Sequence, residues 1–238
     1  MRIRQGMDIA DLALYFDCTL VIADIHIGYE EALNKQGILV PRLQFEEMAK
    51  RMESIFLSLE DKKIKTIVIN GDLKHEFGTI SEQEWRNTLK FLDLLAKHCN
   101  NIILVKGNHD AILGPIAKKR NVKVVESFGV GKTLIAHGDK AVGNLKNYDT
   151  IIIGHEHPAV SLKEGARVEQ FKCFLKGKYK GRNLIVQPSF NSIVEGTDIL
   201  RDKILSPFLK QNLDNFDVYV VEDKVYEFGK LRGLRKRQ

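Results

Sequence analysis

The feature that most restricts the fold is a series of short apolar runs, each followed at once by a polar group containing histidine. Short runs of β-branched and aliphatic residues between polar segments are typical of buried strands. The sequence therefore predicts a sheet-based fold whose strands end in chemically active residues. The five runs are Thr19–Ala23, Ile64–Ile69, Ile102–Val105, Thr133–Ala136 and Ile151–Ile153.

Six of the seven histidines lie in the polar groups after these strands. Loops that follow strands are where α/β sheets present functional side chains. Glycine adjoins the candidate ligands in four of the five groups, and it permits sharp turns and close backbone approach. The groups are Asp24-Ile25-His26, Gly71-Asp72 with His75, Gly107-Asn108-His109-Asp110, Ala136-His137-Gly138 and Gly154-His155-Glu156-His157.

The residue types in these groups predict a transition-metal site. Asp24 and His26 are two residues apart, so on an extended chain their side chains point the same way, and His155 and His157 repeat this spacing. Imidazole combined with carboxylate suits Mn, Fe, Ni, Co or Zn better than Ca or Mg. Two aspartates, one asparagine and up to six histidines are too many ligands for one ion, and they fit two.

The remaining pattern predicts a mixed α/β fold. Strands alternate with helices in the first half, whereas the second half is mostly strands, which favours one partly parallel sheet and one mixed sheet. Helices are expected at Gly28–Gln36, at Leu43–Leu59 and after Ser81, where Ser81-Glu82-Gln83-Glu84 matches a capping box. Ser189–Asn215 is the least periodic segment, and we expect a long ordered loop over the site. Further strands are expected at Leu12–Phe16, Val122–Val125, Val168–Leu175, Leu184–Val186, Phe216–Val221 and Val225–Phe228.

The positive charge is concentrated at the C-terminus. Lys+Arg outnumber Asp+Glu by 37 to 31, for a net charge of +6. Residues 230–238 hold five basic side chains and no acid, so the rest of the chain is close to neutral. We expect a single domain over residues 1–229, followed by a mobile basic tail at 230–238 that serves as a nucleic-acid arm or a solubilising end.

Cysteine usage and the N-terminus predict a cytoplasmic protein. Cys18, Cys99 and Cys173 are far apart and odd in number, as expected of a reduced chain without a disulfide framework. The first ten residues lack the apolar core of a signal peptide. No apolar run approaches the ~18 residues that a membrane span requires.

The motifs DxH, GD, GNHD, H and GHxH, in that order, resemble those of the calcineurin-like metallophosphoesterases. The resemblance runs from Asp24 to His157. It implies an α/β fold, a four-layer α-β-β-α sandwich of two mixed sheets flanked by helices, known as the metallo-dependent phosphatase fold. It also implies two divalent metal ions, Mn in the first place, with Ni, Co, Fe or Zn as alternatives. A hydroxide bridging the ions would hydrolyse phosphodiester bonds.

The same resemblance implies a role for each residue. His109 would stabilise the transition state or protonate the leaving oxygen, and Asp110 would orient His109. Asp72 would bridge the two metals. The first metal would be held by Asp24, His26 and His157, and the second by Asn108, His137 and His155.

One departure points to a subgroup. His75 stands where many members of the family have Asp or Glu, so the loop reads GDLKH. This resembles the archaeal DNA-repair nucleases of the superfamily and the small phosphoesterases found beside DNA ligases and helicases. Three further stretches also resemble the phosphoesterases found beside DNA ligases and helicases. They are GDLKHEFG at 71–78, KGKYKGR at 176–182 and Pro188-Ser189-Phe190. The resemblance implies that His75 contacts the substrate, with a DNA-repair ligase or helicase as partner.

A basic stretch supplies the candidate substrate-binding residues Lys176, Lys178, Lys180 and Arg182. They are interleaved with Tyr179 and follow Phe171 and Phe174, as in a surface that binds a phosphate backbone and stacks bases. The solvated face of a hairpin accounts for the same pattern equally well. Phe77, which follows the His75 loop, is expected either to stack on a base or to pack under the long loop.

Three functions are compatible with the sequence. The first is a phosphodiesterase, specifically a nuclease acting on DNA or RNA. The second is a small-molecule phosphodiesterase or phosphomonoesterase with a cyclic nucleotide or dinucleotide substrate. The third, a scaffold without catalysis, is disfavoured because such a protein should lack ligands, and here the full set is present.

Overall fold

Two mixed β-sheets are stacked face to face in the computed structural model, which describes residues 1–76, 81–110, 118–165 and 167–235. The first sheet has seven strands in chain order, antiparallel from β1 to β4 and parallel from β4 to β7. Its strands are Arg2–Arg4 (β1), Met7–Ala10 (β2), Ala13–Phe16 (β3), Thr19–Ala23 (β4), Thr66–Asn70 (β5), Ile102–Val105 (β6) and Lys123–Val125 (β7).

The second sheet has the order β14-β11-β12-β13-β10-β9-β8, with β15 paired to β12 and β16 paired to β15. Its central strands β9, β10 and β13 are parallel, and the flanking pairs β8–β9 and β12–β13 are antiparallel. Its strands are Ser127–Val130 (β8), Thr133–Ala136 (β9), Thr150–Ile153 (β10), Pro158–Glu164 (β11), Arg167–Tyr179 (β12), Arg182–Val186 (β13), Thr197–Asp198 (β14), Asp217–Val221 (β15) and Val225–Lys230 (β16).

Among the described residues, three helices lie between strands β4, β5 and β6 of the first sheet, and a short one ends the described chain. They are Tyr29–Lys35 (α1), Gln44–Ser58 (α2), Glu82–Ala96 (α3) and Leu231–Arg235 (α4). Both long helices are amphipathic and bury one apolar stripe, which contains Met48 and Met52 in α2 and Phe91 and Leu95 in α3. None of the described helices combines the length and apolar character needed to cross a membrane.

Alternation along the strands of the second sheet separates two cores. Ile152 and Ile185 pack into the core shared with the first sheet, whereas their neighbours Ile151 and Leu184 face the opposite side. On that outer side the sheet is covered mainly by the 199–216 segment and by α4, rather than by long helices like those of the first sheet. The predicted α/β sandwich of two mixed sheets is confirmed, with few helices.

Most predicted elements are found within one or two residues of their predicted ends. The strands β1, β2, β8 and β11 were not predicted, because each contains charged or polar residues or glycine and lacks a continuous apolar run. Ser189–Asn215 is ordered, as expected, and contains only the two-residue strand β14. It covers the outer face of the second sheet more than the site.

The prediction of a mobile tail is wrong for residues 230–235. Lys230 ends β16, and Leu231 and Leu234 of α4 are buried in the core of the second sheet. Nζ of Lys230 lies 2.7 Å from Oδ1 of Asp217, so a carboxylate of the domain already pairs with this base. Basic composition suggested solvent exposure, but the two leucines at helical spacing supply an apolar face that the sheet buries.

Candidate dinuclear metal site

The loops that carry the candidate ligands meet at one edge of the sandwich. Strands β4, β5 and β6 are parallel in the first sheet, as are β9 and β10 in the second, so each set ends at one edge. The backbone N–H of His155 donates to Oδ2 of Asp24 over 2.9 Å, which joins the two edges. The five loops bring together Asp24, His26, Asp72, His75, Asn108, His109, Asp110, His137, His155 and His157.

The first candidate metal group consists of Asp24, His26 and His157. Nε2 of His26 lies 3.4 Å from Nε2 of His157, and the latter atom lies 3.6 Å from Oδ2 of Asp24. A ligand-to-metal distance of about 2.1 Å separates neighbouring ligand atoms by roughly 3 to 3.5 Å. The three residues therefore offer ligand atoms at a spacing that suits one transition-metal ion.

The second candidate group consists of Asp72, His137 and His155, and Asn108 joins it through its amide oxygen. Nε2 of His137 lies 3.0 Å from Oδ1 of Asn108, 3.2 Å from Nδ1 of His155 and 3.4 Å from Oδ2 of Asp72. One carboxylate oxygen, one amide oxygen and two imidazole nitrogens thus converge. This is the ligand set expected from the sequence for a second ion.

Asp72 lies between the two groups. Its Oδ2 is 3.4 Å from Nε2 of His137 in the second group and 3.7 Å from Nε2 of His26 in the first. Burial raises the pKa of Asp72, but its hydrogen bond to His137 and the charges of His137 and His26 hold that pKa well below its usual range. An ionised carboxylate in this position fits the predicted bridging role, and the metal assigned to each residue stays a prediction.

Buried polar atoms of the site that lack hydrogen bonds also fit a role in binding cations. Oδ1 of Asp24 and Nδ1 of His137 lie 3.4 Å apart, and neither buried atom makes a hydrogen bond of good geometry among the described residues, a situation that folded proteins rarely tolerate. Burial disfavours the charged form of His137, yet Asp72 and Asp24 together raise its pKa to about 9. The pocket therefore attracts positive charge, which two divalent cations would supply.

Backbone strain is concentrated in the candidate ligands. Asp24, His26, Asp72, His155 and His157 all have left-handed backbone conformations, with φ of 53°, 48°, 43°, 63° and 49°. Each such residue costs on the order of 1 kcal/mol or more, and such strain persists where the surrounding structure enforces it. The fold therefore stabilises strained loops in order to aim these side chains at two points.

Two glycines leave room for the ligands. A Cβ at Gly107 would lie 2.1 Å from Oδ1 of Asp72, and a Cβ at Gly154 would lie 2.3 Å from Oδ2 of Asp24. Both distances are far below van der Waals contact. The sequence prediction that glycine permits close approach is confirmed at these positions, where backbone packs directly against a carboxylate.

His109 and His75 lie side by side next to the first group. Their rings are stacked at 5.4 Å, and Nδ1 of His109 donates to the carbonyl oxygen of His75 over 2.5 Å. Nδ1 of His75 lies 3.5 Å from Nδ1 of His26. Burial and the charge of His109 lower the pKa of His75 to about 4, so this imidazole is neutral near pH 7.

Asp110 does not make the contact that the sequence predicted for it. Its oxygens accept hydrogen bonds from the backbone N–H groups of Leu73 and Gly107, at 3.1 and 2.9 Å. These bonds tie the Asp72 loop to the Asn108 loop. Burial and the charge of Asp72 raise the pKa of Asp110 to about 7. The hydrogen bond that orients His109 comes instead from the backbone of His75.

The predicted substrate-binding residues lie away from this edge. Strand β12 pairs Lys178 with Asn183, and Asn183 in turn is level with Thr150 at the start of β10. His155 follows the other end of β10, roughly 15 Å along the strand direction. The structure therefore places Lys178, Lys180 and Arg182 towards the opposite end of the sheet from the histidine loops, whereas Lys176 is level with Ile152 of β10.

Local contacts account for these four side chains. Nζ of Lys178 donates to Asn183, Lys180 lies over the ring of Tyr179, and Arg182 donates to two backbone carbonyls. Nζ of Lys176 lies 4.0 Å from Oδ2 of Asp217. These contacts favour the hairpin-face interpretation over a phosphate-binding one.

Several residues near the site were not predicted as functional. The ring of Tyr29 contacts His75 edge-on at 4.6 Å, and the side chain of Gln44 donates to the carbonyl of His26. Glu84 was predicted only as part of a capping box, and its carboxylate instead reaches the His75 loop. No sequence signal distinguishes these residues from ordinary helix residues. Phe77 lies outside the described residues.

Comparison with known proteins agrees with this site. The model of the calcineurin-like phosphoesterase family matches residues 19–159. Nuclease MPE of Pseudomonas putida shares 20% identity over 92% of this chain and 93% of its own, with a TM-score of 0.64. The phosphoesterase YfcE of E. coli shares 13% identity over 90% of this chain and 97% of its own, with a TM-score of 0.41. Curated proteins give no significant match.

The nuclease structure shares the fold of this chain along nearly its whole length. The family match covers more than half of the chain and includes every candidate metal ligand from Asp24 to His157. The chain therefore belongs to the calcineurin-like phosphoesterase family, whose members hydrolyse phosphoester bonds.

Proposed function

We propose that the protein is a phosphodiesterase that cleaves DNA or RNA with two divalent metal ions, Mn in the first place. The observation that carries the proposal is the placement of His75 and His109 beside two ligand groups that share Asp72. When bound, the ions would activate a water molecule as the nucleophile and neutralise charge on the phosphate. The protein's own residues orient the reacting groups and supply protons.

We assign to His109 the role of acting on the leaving oxygen. Its Nδ1 proton is held by the carbonyl of His75, which fixes the ring orientation. In the imidazolium form Nε2 carries a second proton, which can be donated to the departing oxygen. The leaving group of a phosphodiester is an alkoxide that needs such a proton.

His75 supports a diester rather than a monoester substrate. A diester carries one negative charge. The neutral imidazole of His75, with a pKa of about 4, can donate a hydrogen bond to it and does not require the second negative charge that a monoester carries. The partly exposed rings of His75, His109, His155 and His157 allow a large substrate to approach. The fold shared with a nuclease agrees with a polyanionic substrate.

The GDLKH loop also motivates a proposal about partners. Because this loop resembles that of phosphoesterases found beside DNA ligases and helicases, we propose a DNA-repair ligase or helicase as the partner. Such an enzyme would act on the ends or strands that the cleavage produces. Co-purification of the tagged protein with each candidate enzyme tests this, and its absence from both would contradict the partner proposal.

The test of the function is a substrate panel with Mn at two salt concentrations. It contains single- and double-stranded DNA and RNA, a cyclic nucleotide, bis(p-nitrophenyl) phosphate and p-nitrophenyl phosphate. We expect nucleic-acid cleavage that falls steeply between low and high salt, because phosphate contacts release counterions. Hydrolysis of the small diester should depend less on salt.

Two results would contradict the proposal. Hydrolysis of the cyclic nucleotide without cleavage of any nucleic acid would favour the small-molecule phosphodiesterase. Preference for p-nitrophenyl phosphate over its diester would favour a phosphomonoesterase. The Asp72→Asn protein serves as the control for contaminating nucleases, since it keeps the surface of the enzyme and lacks the bridging carboxylate.

A further inference from the structure

Glu84 is a buried carboxylate on helix α3 that points at the loop after β5. The residue is 1% exposed. Its Oε1 accepts hydrogen bonds from the backbone N–H groups of His75 and Glu76, at 3.0 and 3.1 Å. A single carboxylate oxygen thus holds two successive peptide groups of the loop that carries His75.

The start of α3 is built to place this carboxylate. Oγ of Ser81 caps the helix by accepting from the N–H of Glu84 at 3.1 Å, as the capping-box pattern predicts. The side chain of Glu84 is directed to the loop, and Ser81 also donates to Glu31 of α1 at 2.6 Å. A Cβ at Gly28 would lie 3.0 Å from Cγ of Glu84, so glycine leaves room for the side chain there.

The peptide unit that joins His75 to Glu76 connects Glu84 to His109. Its N–H, that of Glu76, donates to Oε1 of Glu84 at 3.1 Å, while its carbonyl, that of His75, accepts from Nδ1 of His109 at 2.5 Å. The N–H of His75, in the preceding unit, donates both to Glu84 and to the carbonyl oxygen of Ile27, each at 3.0 Å. Peptide groups are planar and rigid, so a shift at the N–H end moves the carbonyl end as well. The position of the His109 ring therefore depends on the acceptor that Glu84 provides.

The surroundings of Glu84 agree with a role in positioning. Burial raises its pKa, whereas the backbone N–H of Glu76 and the charge of Lys74 oppose this rise. Lys74 is fully buried, and neither its Nζ nor Oε2 of Glu84 has a hydrogen-bond partner among the described residues. Two buried ionisable side chains therefore lie behind the loop that carries His75.

We propose that Glu84 is a positioning residue that acts through the His75 peptide to orient the imidazole of His109. This inference rests on the proposed function of His109 in phosphodiester hydrolysis. Glu84 itself contacts neither substrate nor metal. Its contribution is a hydrogen-bond acceptor held at a fixed position.

The kinetic test compares E84A with E84Q, and with E82A as the matched control on the same helix turn. Glu82 is exposed and pairs with Arg86, so its removal should leave activity unchanged. E84A should lower kcat for bis(p-nitrophenyl) phosphate about 10- to 100-fold, with KM and metal content within about twofold of wild type. E84Q keeps an oxygen acceptor and should retain most of kcat. Equal loss in E84A and E84Q would overturn the proposal.

A double-substitution cycle decides whether Glu84 acts through His109. The loss in E84A/H109A should be close to that of H109A alone, because residues that act as one unit are not additive. Multiplicative losses would overturn the proposal. If E84A does not fold, E84D replaces it in the same cycle, since the shorter side chain withdraws the acceptor while keeping the charge.

A spectroscopic readout separates this inference from the proposed function. With ¹⁵N-labelled histidine, NMR should show a protonated, hydrogen-bonded Nδ1 on His109 in wild type, assigned by its loss in H109A. E84A or E84D should shift or broaden this signal, and E82A should not. An unchanged signal would overturn the proposal. This measurement needs no substrate, so it decides the inference even if no tested ester is hydrolysed.

Discussion

Nε2 of His26 lies 3.4 Å from Nε2 of His157, although 131 residues separate them in the chain. The first follows β4 in one sheet, and the second follows β10 in the other. Their contact is possible only when both sheets are formed and stacked in the correct alignment. The candidate metal site therefore forms only when the whole sandwich is assembled.

Asp72→Asn should lose metal and activity together. The substitution replaces the charged bridging carboxylate with a neutral amide, so both ligand groups lose a shared anion. We expect metal content after dialysis to fall and hydrolysis of bis(p-nitrophenyl) phosphate to drop on the order of 100-fold or more. Elemental analysis measures the first and initial rates the second. Retention of two ions per chain would contradict the bridging role.

His109→Ala should keep the metal and lose turnover. The imidazole of His109 contacts the carbonyl of His75 and belongs to neither of the two ligand groups, although it forms a further candidate group with His26 and His75. Its removal therefore leaves both ligand groups intact, and the backbone N–H that His109 donates to Asp72 remains. Loss of a general acid typically lowers the rate by about 10²- to 10⁴-fold. Parallel measurement of metal content and kcat tests this. An emptied metal site would show that His109 is a ligand instead.

Gly107→Ala should weaken metal binding although it adds only a methyl group. The new Cβ would lie 2.1 Å from Oδ1 of Asp72, so the bridging carboxylate or the Asn108 loop must move. Gly143→Ala is the matched control, because nothing lies within 4 Å of a Cβ there. Competitive titration with a metal-binding dye should show lower affinity for the first variant alone. Equal affinities would mean that the loop adjusts without cost.

Lys172 should make stability depend on pH. Its Nζ donates to the carbonyl oxygens of Ser189 and Asn191, beside the His26 loop, and burial together with the charge of Arg51 lowers its pKa to about 7. Between this value and the ordinary 10.5 the unfolded chain binds one more proton than the folded chain. This contribution to the free energy of unfolding therefore rises from pH 7 towards pH 10.

The pH test uses chelated protein and the variant Lys172→Met, which removes the titrating group and keeps the chain length. Urea unfolding at several pH values between 7 and 10 should show wild type gaining stability relative to the variant as pH rises. A constant difference across this range would contradict a lowered pKa. At pH 7, loss of the hydrogen bonds to Ser189 and Asn191 should destabilise the variant by about 1 to 3 kcal/mol, and the difference should grow from there as pH rises.

The sequence predicted the buried central strands better than the edge and surface strands. The β-branched runs predicted β4, β5, β6, β9 and β10, because buried central strands need apolar residues on both faces. Edge and surface strands such as β11, which begins at Pro158, carry no such signal. Their pairing depends on a neighbouring strand rather than on their own composition.

The expectations for the basic stretch, the basic tail and Asp110 were based on charge without its partners. Lys176 and Lys230 both lie near Asp217, so basic side chains that suggested a binding surface are paired within the domain. Asp110 likewise accepts from backbone groups of two loops instead of His109. In each case the partner comes from a distant part of the chain, and spacing alone does not identify it.

The sequence by itself determined which residues could bind metal, because imidazole and carboxylate groups that directly follow buried parallel strands must meet at one edge of a sheet. Only the tertiary structure decided that Asp72 lies between the two groups, that His75 and not Asp110 holds His109, and that Glu84 reaches the His75 loop. The physical reason is that these contacts cross between strands, sheets and helices, so their distances exist only after both sheets and their helices are packed.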